Sequence, residues 1–362
     1  MKYIVSFFLV VTILVFFRGA PNKSLSRNFS KVQIRHIIED SLMDVRALEI
    51  VPDKDACIFL TSRGQFGAIS FAEYDTIAPE KPIVFYPINL NNDSTAYNFR
   101  SIGVTKHKGL GLTIGNPAYL VNIDVDKTPK AEVVYEEYHP QTFYDSIEFW
   151  NNQEGIAIGD PTNGCMSIII TRDGGDTWTK LPCSNLPKAE EGEAAFAASD
   201  TNIAIVGDHT WVATGGKASR VLYSPDKGKT WYVYDTPIIQ GKETTGIYSI
   251  DFYDELNGFA IGGDYTKPED NTTNKIRTSD GGKTWKVVAK NKNPGYRSCV
   301  RYVPKGKGKV LVALGFNGID YSNDSGDTWK HLSDEGFYTI RFLNDTIAYA
   351  AGKGRVSKLI FR

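Results

Sequence analysis

Four copies of an eight-residue pattern, Ser/Thr-x-Asp-x-Gly-x-Thr-Trp, occupy residues 171–178, 224–231, 278–285 and 322–329. Each is fixed in register by an aspartate and a tryptophan: Asp173 and Trp178, Asp226 and Trp231, Asp280 and Trp285, Asp324 and Trp329. These residue types suit a hairpin loop. Asp accepts hydrogen bonds within its own turn, Gly supplies positive φ, and Thr followed by Trp starts a returning strand. The copies recur at steps of 53, 54 and 44 residues, a pitch that suits a four-stranded antiparallel unit repeated along the chain.

Short apolar runs that would open such units outnumber the loops. They lie at 45–50, 99–104, 144–149, 193–198, 247–252, 297–302 and 337–342. Seven openings predict an all-β fold, a seven-bladed β-propeller of four-stranded antiparallel blades spanning residues 42–362. The last blade reaches Arg362 after its third strand, and a ring of blades must not leave a bare edge. Val32–Ile38, within the segment 21–41, reads either as the missing outer strand or as an amphipathic helix.

Composition narrows the function. The formal net charge is −1 with acids and bases interspersed, which is no nucleic-acid footprint. No Gly-x-Gly-x-x-Gly opens a helix after a strand, and the five histidines are scattered without metal-ligand spacing. Lys2 precedes an apolar stretch from Tyr3 to Phe17, shorter than the ~20 residues of a bilayer span. Residues 1–20 therefore read as a signal peptide cleaved after Ala20, with an uncleaved membrane anchor as the alternative. The expected location is periplasmic or extracellular, with membrane contact only through that segment. In that setting Cys165 and Cys183, flanking the first loop, are expected to form a disulfide, whereas Cys57 and Cys299 fall in different blades.

Candidate site residues follow from aligning the blades. Just beyond each second strand come Arg63, Asn116, Asp160, Asp208, Asp264, Asn317 and Lys353. The starts of the inner strands add Arg46, Arg100, Asp145, Glu193, Tyr248, Arg297 and Tyr338, and Tyr265 follows Asp264. The plain reading is that strand ends are polar anyway. The segregation of charge predicts instead a ligand site at the channel mouth, acidic on one side and basic on the other. Asp160, Asp208 and Asp264 are expected to converge there. They would either bind a cation, for which an all-oxygen set suits Ca²⁺, or pair with Arg220, Arg297 or Lys267. No other cofactor is expected.

The four loops resemble the Asp-box, or BNR repeat, of sialidase-like β-propellers. With Ile250–Ile261, Glu193–Ser199, Gly262–Tyr265 and Gly295–Ser298, residues 42–362 look like the photosystem II assembly-factor-like propellers and their bacterial relatives labelled oxidoreductase or glycosyl hydrolase. The resemblance implies structural Asp-boxes on outer hairpins and a non-catalytic mouth that binds a glycan or a protein partner. Plant and cyanobacterial members act through a basic patch, which Arg46 and Arg100 match loosely. The alternative is a glycoside hydrolase, sialidase-like or other, with Glu193, Asp264 and Tyr338 as its catalytic set. The sialidase Arg-Ile-Pro motif is absent, and sialidase catalytic domains have six blades.

Overall fold

The structure, a computed structural model, describes residues 28–51, 53, 55–71, 83–88, 90, 97–124 and 130–362. The expected export segment 1–20 and most of the loop 89–95 lie outside the described residues.

Every sheet is antiparallel. Four sheets have four strands, each wound in chain order from an inner to an outer strand: Phe99–Val104 onward, Tyr144–Phe149 onward, Ile203–Val206 onward and Cys299–Tyr302 onward. Two sheets have six strands. In one, Thr245–Phe252, Gly258–Asp264, Lys275–Thr278 and Lys286–Val287 are joined by two-residue strands at Glu193–Ala194 and Gly215–Gly216. In the other, Thr339–Phe342 and Ile347–Phe361 are continuous through Val32–Val51 with Ala56–Thr61, Gln65–Ser70 and Ile83–Pro87.

The described strands thus form six sheets where seven blades were expected. The physical reason is the 20-residue strand Val32–Val51. Its first part pairs with Ile347–Phe361, from Val32 opposite Phe361 to Asp44 opposite Lys353. Its second part pairs with Ala56–Thr61, from Val45 opposite Thr61 to Val51 opposite Ala56. The two ends of the fold are thereby hydrogen-bonded into one sheet, and Val32–Ile38 is strand rather than helix.

One expected strand is also corrected. Glu193–Ala198 is not an inner strand; only Glu193–Ala194 pairs, and the inner strand there is Ile203–Val206. The expected run satisfies an apolar pattern, but its burial comes from loop packing.

The four repeated loops share one hydrogen-bond set. Asp226 Oδ1 accepts from Thr230 N (2.8 Å) and Ser224 Oγ (2.9 Å), and Oδ2 accepts from Thr230 Oγ1 (2.8 Å). Asp173, Asp280 and Asp324 are bound in the same way by the Thr that follows four residues later. Each Trp donates its indole N–H to the Gly carbonyl of its own loop, at 3.0–3.2 Å. Gly175, Gly228, Gly282 and Gly326 all have positive φ, which a side chain would strain. Trp178 and Trp285 then pack edge-on against Phe149 and Phe252 of the inner strands. The loops therefore pin the outer part of a sheet to its inner part.

Side chains from facing sheets fill the space between them. Ile156, Ile158 and Ile168 meet Val212 and Leu222, and Phe259 and Ile261 meet Val300 and Leu311. Charges occupy the penultimate place of four inner strands, Glu148, Asp251, Arg301 and Arg341, and Glu49 stands two places before the end of Val32–Val51. Arg341 bonds Glu49 and the carbonyl of Asp200 (2.9 Å), and Arg301 reaches Asp251 (3.6 Å) and Glu148 (3.9 Å). This polar set runs between sheets that are far apart in sequence.

Candidate functional site

Inner strands begin, and second strands end, on one side of the molecule. There Arg46, Arg100, Phe143, Asp160, Phe196, Glu243, Tyr248, Tyr265, Tyr296, Ser298, Phe316 and Tyr338 line a cavity of about 630 Å³. One wall is basic. Arg46 lies over the Tyr338 ring, 3.9 Å from its centroid, and bonds Asp44 Oδ1 at 2.5 Å. Arg100 Nε donates to Asn98 Oδ1 at 3.2 Å. Burial, and then the charge of Arg46, lowers the pKa of Arg100. The buried Nε of Arg46 has no hydrogen-bond partner among the described residues. Two crowded guanidiniums, one with an unused donor, concentrate positive charge on this wall.

The facing wall is aromatic. Phe196 stacks on Tyr248, with centroids 4.1 Å apart and planes at 14°. Tyr248 meets Tyr296 edge-on at 4.9 Å, and Tyr296 stacks on Phe316 at 5.4 Å. Tyr265 touches both tyrosines. Tyr265 and Phe316 remain about half exposed, so both rings are open to a ligand in the cavity.

Carboxylates complete the floor. Asp160 Oδ1 accepts from Ala195 N at 2.8 Å. Burial raises its pKa to about 6 against that bond. Asp145 is fully buried, and neither carboxylate oxygen has a hydrogen-bond partner. Burial first, then the charge of Asp160, pushes its pKa well up, with Arg100 opposing.

Five of the ten expected ligand-binding residues line the cavity, namely Arg46, Arg100, Asp160, Tyr248 and Tyr265, and Tyr338 of the hydrolase set joins them there, while buried Asp145 is not part of the lining. The others do structural work. Arg297 is buried against Asp320 (2.5 Å) and Asn317 (2.6 Å). Glu193 is buried against Arg220 (2.6 Å) and accepts from Thr214 Oγ1. Asp264 is buried and accepts from Thr266 N (3.0 Å) and Oγ1 (2.6 Å). Burial raises its pKa, but the bonds from Thr266 more than offset this and the net shift is downward. Asp208 is the clearest correction. It sits in the turn between Ile203–Val206 and His209–Ala213, exposed and 3.5 Å from Lys227 of a repeated loop. That is the opposite end of its sheet from the mouth.

The expected convergence of Asp160, Asp208 and Asp264 therefore fails, because the Gly-Asp pair at 207–208 follows an inner strand whereas those at 159–160 and 263–264 lie within second strands. Among the described residues no three His, Cys, Asp or Glu side chains gather as a metal site. Nor do Glu193, Asp264 and Tyr338 assemble, since only Tyr338 lines the cavity. Arg63 and Asn116 are exposed residues between strands, and Lys353 is an exposed residue of the strand Ile347–Phe361. The residues missed, Tyr296, Phe316 and Phe196, neighbour or interrupt positions that were chosen. Tyr296 and Phe316 stand one place before Arg297 and Asn317, in the segments that precede Cys299–Tyr302 and join Leu311–Gly315 to Gly318–Ser322.

Cys165 and Cys183 form a disulfide that ties the turn after Gly155–Thr162 to the connection leading toward Glu193. Cys57 and Cys299 are buried free thiols.

No protein-family model matches the chain, and no curated protein matches it in sequence. Solved structures do. A structure of YCF48 bound to D1 peptide is 12% identical, with TM-score 0.62, covering 93% of this chain and 97% of the other. YCF48 from Cyanidioschyzon merolae is 12% identical, with TM-score 0.60, covering 92% and 99%. U3-55K is 9% identical, with TM-score 0.59, covering 91% and 98%. At these identities the likeness shows the fold, an all-β propeller of four-stranded antiparallel blades.

Proposed function

We propose that this protein is a non-catalytic propeller that holds a segment of a protein partner in its mouth cavity. The observation that carries this reading is the opposition of Arg46 and Arg100 to the wall of Phe196, Tyr248, Tyr296 and Phe316. The arginines suit a carboxylate, and the rings suit an adjacent aromatic or aliphatic side chain. A peptide offers both on neighbouring residues. YCF48, which shares the fold, has been solved with a peptide bound, and this supports a peptide as the ligand class here. The D1 peptide of that structure is not carried over as the partner here.

Array binding tests the reading. Short labelled peptides with an aromatic residue beside a carboxylate should be retained, and peptides lacking either feature should not. Retention of glycans alone, or turnover of a chromogenic glycoside, would replace it with the glycan-binding or hydrolase reading.

The finer description of the chain belongs to the same proposal. We read residues 1–20 as an export signal, because a disulfide at Cys165–Cys183 belongs to an oxidising compartment. An intact N-terminus in the mature protein, measured by mass, would contradict cleavage. We also read the repeated loops as Asp-boxes and the fold as seven-bladed, counting the inner strands of Val32–Val51, Phe99–Val104, Tyr144–Phe149, Ile203–Val206, Thr245–Phe252, Cys299–Tyr302 and Thr339–Phe342 as seven. An experimental structure with sixfold spacing of those strands would overturn that count.

A further inference from the structure

Lys275 is a fully buried lysine that no part of the mouth cavity touches. Its ammonium donates to Pro294 O at 2.6 Å, Asn274 Oδ1 at 2.7 Å and Lys292 O at 3.0 Å. All three protons of the charged group are thereby used. Asn274 works on the same loop, donating its Nδ2 to Gly295 O at 2.5 Å and to Pro294 O at 3.2 Å. The next residue, Tyr296, donates its backbone N–H to Pro268 O at 2.8 Å. The loop 292–296 thus ends in the ring that touches Tyr248, Tyr265 and Phe316. Without the ammonium, Asn274 Oδ1 would lose its buried donor and Pro294 O would keep only the 3.2 Å bond from Asn274.

We propose that Lys275 is a positioning residue for the mouth: its ammonium, clamped on Asn274, Lys292 and Pro294, fixes the loop that delivers Tyr296 to the aromatic wall. This rests on the reading of the mouth as a binding site. Ligand affinity there then depends on a side chain that no ligand reaches. Burial, followed by the charge of Arg297, pulls the Lys275 pKa down to about 7, with Asp320 opposing. So large a desolvation of one lysine fits a group retained for what it holds in place rather than for surface charge.

The test combines ¹⁹F NMR of 3-fluorotyrosine-labelled protein with anisotropy titration of a labelled peptide carrying Phe beside Asp. The Tyr296 resonance is assigned by its loss in Tyr296→Phe. In Lys275→Met that resonance should move toward free fluorotyrosine, with its neighbours Tyr248 and Tyr265 shifting in step and the more distant tyrosine signals holding, and peptide affinity should fall about tenfold. Asn274→Ala should do both in smaller measure, and it stands in for Lys275→Met where that variant does not fold. Lys275→Arg, which keeps the donors, should restore part of both signals. An unmoved Tyr296 resonance in Lys275→Met, or in its stand-in, overturns the proposal. So does a moved resonance with parental affinity when Tyr296→Leu loses binding. If Tyr296→Leu also binds the peptide like the parent, the failure belongs to the mouth-binding reading, not to the hold of Lys275 on its loop.

Discussion

Arg46 spreads its guanidinium over the ring of Tyr338, 3.9 Å from the centroid, so that the cation faces the cavity from an aromatic shelf. The contact uses the face of the ring and not the hydroxyl. Tyr338→Phe should therefore keep peptide affinity within about twofold, whereas Tyr338→Ala should weaken it about three- to tenfold, as expected for a contact of this kind. Affinity lost in the Phe variant would assign a role to the hydroxyl, as the hydrolase alternative requires.

The repeated loops make a pH prediction. Burial raises the pKa of Asp173, but bonds from Thr177 and Thr171 outweigh it and set the value at about 2. A carboxyl depressed below its unfolded value of 3.8 adds stability that is complete above about pH 4 and is lost as pH falls toward 2. Asp226, Asp280 and Asp324 are shifted the same way. Asp173→Asn should cost roughly 1–2 kcal/mol at pH 7 and much less at pH 2, read from urea unfolding. An equal loss at both values would mean that charge plays no part in the loop.

The axial charges predict the opposite slope. Burial, then Glu49, raises Glu148 to about 7, with Arg301 and Arg341 opposing. A carboxyl raised above its unfolded 4.5 is fully tolerated below that value and costs stability as pH climbs toward 7. Glu148→Gln should raise the Tm at pH 8 and leave it unchanged at pH 4. A lower Tm at pH 8 would show that the distant Arg301, 3.9 Å away, is a stronger partner than burial is a penalty.

Beside the mouth, the pair of Glu193 and Arg220 holds the start of the segment that carries Phe196 to Tyr248. Removing one partner of a buried ion pair leaves the other uncompensated, so Arg220→Met should cost about 3–5 kcal/mol. The double variant Glu193→Gln with Arg220→Met should recover part of that loss. A double variant as unstable as the single one would show that Arg220 acts through the carbonyl of Lys188, to which it also donates at 2.8 Å.

Local turn chemistry explains what was legible in the sequence. Residues 224–231 announce their hairpin because Asp226, Gly228, Thr230 and Trp231 need only one another. The inner strands were equally legible where an apolar run carries one charge, as in Ile250-Asp251-Phe252. The segment 193–198 misled because Ala and Phe satisfy the same pattern, although Ile203–Val206 is the strand. That slip of one strand carried Asp208 to the wrong end. Choosing Arg297 over Tyr296 shows the other limit. Facing side depends on strand register, and the register is set by partners such as Asp320 that lie 23 residues away.

The central claim concerns the two arginines. Calorimetric titration of the parent, Arg46→Ala, Arg100→Ala and the double variant with one retained peptide tests it most directly. The double variant should lose at least about a hundredfold in affinity, the usual worth of two charge-assisted contacts, with its Tm close to that of the parent. Parental affinity in the double variant, at a Tm that shows it folded, would contradict the assignment of the mouth as the binding site.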